Sequence, residues 1–559
     1  MSDFFQDPPR LENTYRSDPA LRALLGRLLP EETRRDVEPG LERLGERAAT
    51  ELRALGDEAE AAPPRHVPFD AWGRRVDRVE TSSAWRRLRA IAAEEGVVAT
   101  AYERRHGADS RLHQMALLYL FHPPSALASC PLAMTDGAAR LLELYGAEEL
   151  QRRALPHLLS RRSESFWTSG QWMTEREGGS DVARSSTVAR PDGLGHRLWG
   201  AKWFTSAVDA EMALALARIE GDPPGNRGLS VFAVETRNAA GELDGIRIER
   251  LKDKLGTRAL PTAELHLDGV PARLVGRRGE GVRTIAAMLQ ITRLYNSCCA
   301  AAFLRWGLLL AGDYARRREA FGRPLAELPL HRETLADLEA ECQLANQLVF
   351  RAAALAGREE CGVATAEEHA VLRLLVPVVK LLTGKQAIAG ASEILECFGG
   401  AGYIEDTGLP RLVRDSQVLP IWEGTTNVLA LDARRAIEKE KALPPFVADL
   451  ERRLSQAAAS DAASAGVARA SLERLLAWRR ELEAAGGETL EAGARRFAMA
   501  LGRLYGVGLL LEQAEWEAAR AIDSGAALAA RRALRALPAL PAPADRAAVG
   551  RTAPLAPAP

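Results

Sequence analysis

Apolar residues recur at three- and four-residue intervals in LRALLGRLL (21–29), GLERLGERAATELRAL (40–55) and SAWRRLRAIAAEEGVVATAYE (83–103), which predicts helices through residues 1–165. Proline-rich breaks, PPR and PPS, divide them. From about 166 to 280 the period shortens to that of strands. HRLWGAKWFTS, MALALARIE, LSVFAVE, GIRIERL and TAELHLDGV are separated by Gly, Pro, Asn and Asp and predict a small antiparallel sandwich or barrel. Long helical patterns return over 281–440, too apolar to stand alone in water, and predict a bundle. A further helical stretch rich in Ala, Arg and Glu fills 445–537, and 538–559 has the Pro/Ala composition of a disordered tail. The expected fold class is α+β: an N-terminal helical domain, a central antiparallel β-domain, a C-terminal four-helix bundle and an extra C-terminal helical domain.

The 559 residues suffice for several domains with sizeable cores. With 74 basic against 75 acidic groups the formal charge is −1, so nothing global attracts nucleic acid or an anionic membrane. The acidic, proline-containing start lacks the features of a secretion signal, and no unbroken run of about 18 apolar residues occurs, so a soluble cytoplasmic protein is expected. Cys130, Cys298, Cys299, Cys342, Cys361 and Cys397 form no CxxC pair and no zinc-ligand spacing; they are expected to be reduced, packing residues, with no metal site.

Two segments carry candidate chemistry. Glu423 follows Pro420, Ile421 and Trp422 in PIWEGTTNV, an apolar setting expected to desolvate the carboxylate, raise its pKa toward working pH and suit it to general-base work. Upstream, MTEREGGSD (173–181) supplies Thr174, Gly178, Gly179 and Ser180, small residues and hydroxyls that let backbone N–H groups approach a polar ring or a phosphate.

Five motifs stand in one order: MTEREGGSD, WFTS (203–206), RREAFGRP (317–324), ECFGGAGY (396–403) and IWEGTTN (421–427). In order and spacing they resemble the acyl-CoA dehydrogenase flavoproteins across about residues 10–440. The long N-terminal extension, the REGGSD form of the first motif and LKDKLG (251–256) resemble the AidB-like branch, known from the bacterial adaptive response to alkylation. The resemblance implies two helical domains enclosing a β-domain, with FAD between them. It implies α,β-desaturation of an acyl-CoA thioester: Glu423 abstracts the α-proton, flavin N5 accepts the β-hydride, and the Glu423 N–H and a ribityl hydroxyl polarise the carbonyl. Relatives that take the base from the helix at 282–314 place it just before Arg293; Thr292 stands there and cannot serve, which leaves Glu423.

By motif position, Met173 and Thr174 touch the flavin ring, Ser180 meets the cofactor or CoA pyrophosphate, and Trp203 and Thr205 cover the ring, the Thr205 hydroxyl near N5. Taken alone, these last two also read as a strand with one core Trp and one solvent-side Thr. Arg318, three residues before Phe321, corresponds to the arginine that pairs with the FAD pyrophosphate of a neighbouring subunit. Glu396, Gly399 and Gly400 fall where another chain's loop receives the adenosine end, Thr425 and Asn427 complete the cofactor contacts, and Gly424 and Arg293 face substrate. A site shared in this way implies a homotetramer built as a dimer of dimers. Electron-transfer flavoprotein and oxygen are the alternative electron acceptors.

Two departures weaken the adenine contacts: Glu396 replaces the mainstream glutamine, as in the AidB-like branch, and Leu328, Pro329 and Leu330 occupy the place of the glutamine after the FG pair. The apolar segment Met115 to Phe121 and the loop after it point to a medium or long acyl chain. A nitroalkane-oxidising relative would use aspartate as base, and Glu423 argues against it. The alternative function is an AidB-like flavoprotein that binds DNA through its C-terminal segment, with the pairs Arg452/Arg453, Arg479/Arg480, Arg495/Arg496 and Arg531/Arg532 as a basic stripe. Against it, residues 445–559 hold fifteen Arg and no Lys with thirteen Asp plus Glu, a net charge of +2, and the interleaved glutamates read as a solvated helix face.

Overall fold

The computed structural model describes residues 7–457 and 461–542 and divides into two compact units. One is built from Glu12–Tyr15 and Val37–Ala302; the other takes in Arg16–Asp36 and the chain from Phe303 onward.

In the first unit, helices Arg53–Ala61, Ser83–Glu94, Asp109–Phe121, Ser129–Tyr145 and Glu148–Leu158 precede a barrel. Ser83–Glu94 begins where the Ser82 hydroxyl accepts the Trp85 N–H at 3.1 Å, and Trp85, Leu88 and Ile91 lie buried along one face. A hairpin that the sequence pattern did not predict, β1 (Arg65–Phe69) with β2 (Arg75–Glu80), interrupts these helices. Its strands are short, and three arginines among their eleven residues blur the alternation.

The barrel comprises β3 (Ser169–Trp172), β4 (Val188–Asp192), β5 (Gly195–Ser206), β6 (Met212–Ile219), β7 (Leu229–Glu235), β8 (Ile246–Leu251) and β9 (Thr262–Val275). Strands β4, β5, β9, β7 and β6 close a ring, with β3 beside β6 and β8 beside β9. β5 to β9 coincide with the five strand-like runs, and Leu198, Phe232, Val234, Leu265 and Val270 fill the core. The expected antiparallel domain needs one correction: β3 and β4 both run parallel to β6. β3 is pinned at its start by the preceding helices, the Ser169 N–H donating to Thr135 Oγ1 at 3.0 Å.

The second unit contains Pro329–Glu360, Ala366–Glu396 and Thr426–Glu440, followed by Leu443–Ala457, Ala462–Ala484, Gly487–Ala518 and Ala526–Arg535. The division expected from sequence differs from the packing in two places. The C-terminal helices share one core with the bundle: a Cβ at Gly502 would stand 2.6 Å from Val378, and one at Gly506 would stand 2.8 Å from Leu344. Helix Pro19–Leu28, capped by Asp18, also belongs to this unit; its Arg27 donates to Gln513, Glu512 and Gln347 at 2.6, 2.9 and 2.7 Å. Of the expected tail, residues 538–542 are held, the Ala539 and Pro541 carbonyls accepting from Arg496 and Trp478, each at 2.8 Å. Residues 543–559 lie outside the described residues.

Helix Gly281–Arg317 is long and apolar enough by mean hydropathy to cross a membrane, although it lacks an unbroken apolar run. Its apolar window is 94% buried, as in a core helix. No disulfide joins any of the six cysteines, five of which are buried; burial pushes the Cys299 thiol up to about 12 and the Cys397 thiol up to about 11. Among the described residues no group of His, Cys, Asp or Glu is arranged to hold a metal ion.

Candidate functional site

β3 delivers the chain to Met173 and Thr174, and β5 returns it at Trp203, whose N–H donates to the Thr174 carbonyl at 2.9 Å. Behind this contact lies an ion pair that no motif marked. Glu175, next to Thr174, meets Lys202, next to Trp203, at 2.7 Å, with side chains 2% and 0% exposed. Glu175 also accepts from the Ser186 N–H and hydroxyl at 2.6 and 2.8 Å and from the Thr187 hydroxyl at 2.6 Å. Burial works to raise the Glu175 pKa; the Lys202 ammonium and these donors outweigh it and hold the carboxyl below the usual range. The pair therefore clamps together the two backbone stretches expected to face a flavin.

Gly179 is fixed by its neighbour, since a Cβ there would stand 2.7 Å from Thr174 Oγ1. Ser180 is exposed. Trp203 is half-buried under Lys252, whose Nζ lies 3.3 Å from the ring centroid and pairs with Glu264 at 2.7 Å. Thr205 is buried and donates to the Ala263 carbonyl on β9 at 2.7 Å. The strand pattern of a core tryptophan and a solvent-side threonine is thus reversed. Its hydroxyl proton is directed at that carbonyl, which leaves the oxygen's lone pairs open to a ligand donor.

Three buried polar atoms around the loop, Gln171 Oε1, Trp172 Nε1 and Ser185 Oγ, lack a hydrogen-bond partner in the chain. Gln171 and Trp172 are successive residues of β3 and face opposite sides of it, Trp172 packing into the barrel core, so the acceptor left for the amide-like edge of a planar polar ring such as isoalloxazine is Gln171 Oε1. Gln171 thereby becomes a candidate cofactor contact that the motif comparison missed. On helix Gly281–Arg317, Arg293 is half-buried next to Thr292, whose hydroxyl donates to the Leu289 carbonyl at 3.3 Å. Tyr295 anchors this stretch, its hydroxyl donating to Asp136 at 3.0 Å while Arg111 pairs with the same carboxylate at 2.6 Å.

In the helical unit, Glu423 occupies a strained turn. It has φ 57° and Gly424 has φ 97°, left-handed values that glutamate rarely adopts. The side chain is half-buried, a milder desolvation than the apolar run implied, and Ile421 beside it is 61% exposed. Thr425 is the N-cap of Thr426–Glu440, accepting the Val428 N–H at 3.5 Å, and the exposed Asn427 accepts from Arg495 at 3.3 Å. Lys380, fully buried on Ala366–Glu396, donates to the Trp422 and Gly424 carbonyls at 2.6 and 2.7 Å, the two that flank Glu423.

The remaining candidates share a second locus of this unit. Half-buried Arg318 leads into a tight hairpin, Glu319–Ala320 with Arg323–Pro324, turned by Phe321 and Gly322 at φ 53° and 79°, the double left-handed turn that matches strand twist. Phe321 is 94% exposed. Glu396 ends its helix in solvent, and Gly399 and Gly400 follow in an exposed loop with open space where a Cβ would point. The rings of Tyr314 and Phe398, 4.9 Å apart, bring the hairpin's helix and the glycine loop together.

The arginine pairs are largely engaged within the unit. Arg452 and Arg453 both bind Asp449, Arg479 binds Glu483, Arg531 binds Asp461, and Arg532 binds Glu333 and Asp337. Arg495 and Arg496 donate to Asn427 and to the Ala539 carbonyl.

Comparison with known proteins follows this architecture. Residues 6–165 match the adaptive response protein AidB N-terminal domain, 170–270 the acyl-CoA dehydrogenase middle domain and 279–438 the acyl-CoA dehydrogenase C-terminal domain. Residues 441–532, where the motif resemblance was weak, match the acyl-CoA dehydrogenase 11 C-terminal domain-like family. Acyl-CoA dehydrogenase family member 11 of Caenorhabditis elegans is 44% identical over 533 residues, covering 91% of this chain and 86% of the relative. Putative acyl-CoA dehydrogenase AidB of Escherichia coli K12 is 33% identical over 407 residues, covering 71% and 73%. The crystal structure of Caenorhabditis elegans ACDH-11 in complex with C11-CoA matches with TM-score 0.95 at 42% identity, covering 99% of this chain and 96% of that one. On these matches, with the barrel set between helical segments in the expected order, the chain belongs to the acyl-CoA dehydrogenase family, as an AidB-like member.

Proposed function

We propose that this acyl-CoA dehydrogenase introduces a double bond between the α and β carbons of an acyl-CoA thioester, with Glu423 as the general base. The observation that carries this assignment is the turn itself: a glutamate in a left-handed conformation, its flanking carbonyls tied back by Lys380, is a side chain held for a task rather than left to solvent. The Glu423 carboxylate takes the α-proton, and its own N–H donates to the thioester carbonyl, which acidifies that proton. Partial burial favours both interactions, because fewer waters compete for the carboxylate and the N–H.

FAD is the family's cofactor and, when bound, supplies the two-electron acceptor. Gln171, Met173, Thr174, Ser180 and Trp203 would hold its ring and pyrophosphate, and Arg318, Glu396, Gly399 and Gly400 would serve a second copy's cofactor. Exposed Phe321 and Tyr403, 94% and 88% accessible, support burial of that locus in a homotetramer. The C11-CoA bound by ACDH-11 supports a medium-to-long acyl chain as substrate. We assign re-oxidation to electron-transfer flavoprotein and a cytoplasmic location. The DNA-binding alternative gains no support from arginines already paired within the unit.

The decisive test is anaerobic reduction. The purified protein should be yellow and bleach with acyl-CoA, whereas Glu423→Gln should keep its FAD and reduce about a thousandfold more slowly. Bleaching of the variant at the wild-type rate would remove Glu423 from the reaction. Hydrogen peroxide formed during turnover would reassign the acceptor to oxygen.

A further inference from the structure

We infer that Lys380 is the positioning residue of the base: its buried ammonium group holds the backbone of Glu423 in the conformation from which the carboxylate acts. This inference rests on Glu423 being the base. A left-handed non-glycine residue persists only where its surroundings over-determine it, and at φ 57° Glu423 needs such a restraint. Lys380 supplies it from 42 residues away along the chain. Its Nζ donates to the Trp422 carbonyl at 2.6 Å, and that carbonyl lies in the peptide plane that sets φ of Glu423. It also donates at 2.7 Å to the Gly424 carbonyl, in the Gly424–Thr425 peptide two planes further on, so that the two bonds bracket Glu423. Relaxing Glu423 to an ordinary conformation would turn at least one of these carbonyls away from the ammonium.

Burial strengthens the restraint, since Lys380 is 0% exposed and water does not compete for its donors. One turn along the same helix, Gly384 seats the approach to the turn. A Cβ at Gly384 would stand 3.3 Å from the Pro420 nitrogen and 3.4 Å from the Leu419 carbonyl carbon. One helix face thus fixes the Leu419–Gly424 segment at two points, by close approach at Gly384 and by charge-assisted hydrogen bonds at Lys380. Lys380 touches no reacting atom in this account; it acts through Glu423.

The test uses the holoenzyme and its variants Lys380→Met, Lys380→Arg, Gly384→Ala and Glu423→Gln. Measured are FAD content, melting temperature, affinity for an enoyl-CoA product, and the limiting rate of anaerobic flavin reduction by a saturated medium-chain acyl-CoA. Lys380→Met should keep FAD and bind product within about threefold of wild type, yet reduce about a hundredfold more slowly, the usual effect of misplacing a catalytic group by about 1 Å. Lys380→Arg, which keeps charge and donors, should recover part of that rate. Gly384→Ala crowds the same turn without touching the buried charge and should likewise lower the rate more than the affinity. A wild-type reduction rate in Lys380→Met, or a parallel loss of FAD, affinity and rate, overturns the inference. If Lys380→Met does not accumulate as folded holoenzyme, Gly384→Ala decides by the same criterion. A fast Glu423→Gln sinks the base assignment itself, whereas a slow Glu423→Gln beside a fast Lys380→Met sinks only the positioning role.

Discussion

Replacing Lys202 by methionine should strand Glu175 in the barrel wall, and its consequence is calculable. The two side chains are 0% and 2% exposed and 2.7 Å apart. Removing one partner of a buried ion pair costs about 3–5 kcal/mol. Glu175 keeps the Ser186 and Thr187 donors, which places the loss near about 3 kcal/mol. For a cooperative unit of this size, each kcal/mol lowers the melting temperature by about 2–4 °C, so a fall of about 6–12 °C is expected. The pH dependence is more diagnostic. In the wild type the folded pKa of Glu175 lies below its unfolded value, so its stabilisation is present above the unfolded pKa and fades as pH drops through the folded one. Without Lys202, burial is no longer outweighed and the folded pKa rises above the unfolded value. The carboxyl then takes up a proton on folding, and the variant's deficit should shrink as pH falls from about 8 toward about 5. Calorimetric melting of Lys202→Met, Glu175→Gln and the double variant across that range checks both statements. A deficit independent of pH, or a double variant as unstable as the sum of the singles, would refute the argument.

Gly179→Ala places a methyl 2.7 Å from Thr174 Oγ1, so titration of apoprotein with FAD should show affinity reduced by about tenfold while the apoprotein's melting temperature holds. Equal affinity would free Thr174 from the cofactor site. Gly506→Ala drives a Cβ to 2.8 Å from Leu344 and should destabilise by about 1–3 kcal/mol in a single transition that includes the C-terminal helices. Separate melting of those helices, or their release by brief proteolysis, would contradict a shared core.

Periodicity alone located β5 to β9 and the long helices, because strands and helices that bury one face write that face into their spacing. The five ordered motifs likewise marked Glu423 and the loop at Thr174, since turns that hold a ligand demand particular small or polar residues. Nothing local marked Lys202 or Lys380: each is a lysine inside an apolar stretch, and its partner lies 27 or more residues away in sequence. The β1–β2 hairpin stayed hidden because its pairing is made by arginines and acids rather than by apolar alternation. For the arginine pairs of the C-terminal helices the interleaved acids already favoured a solvated face over a basic stripe, and the structure pairs Arg452, Arg453, Arg479, Arg531 and Arg532 with acids. Sequence by itself determined the family and most of the order of elements, and it marked Glu423 as the candidate base, all of which follow from short-range pattern. Tertiary structure alone decided which buried charges meet, that Thr205 faces inward, and that the C-terminal helices join the bundle. Such contacts depend on distances between segments remote in the chain, which no local pattern records.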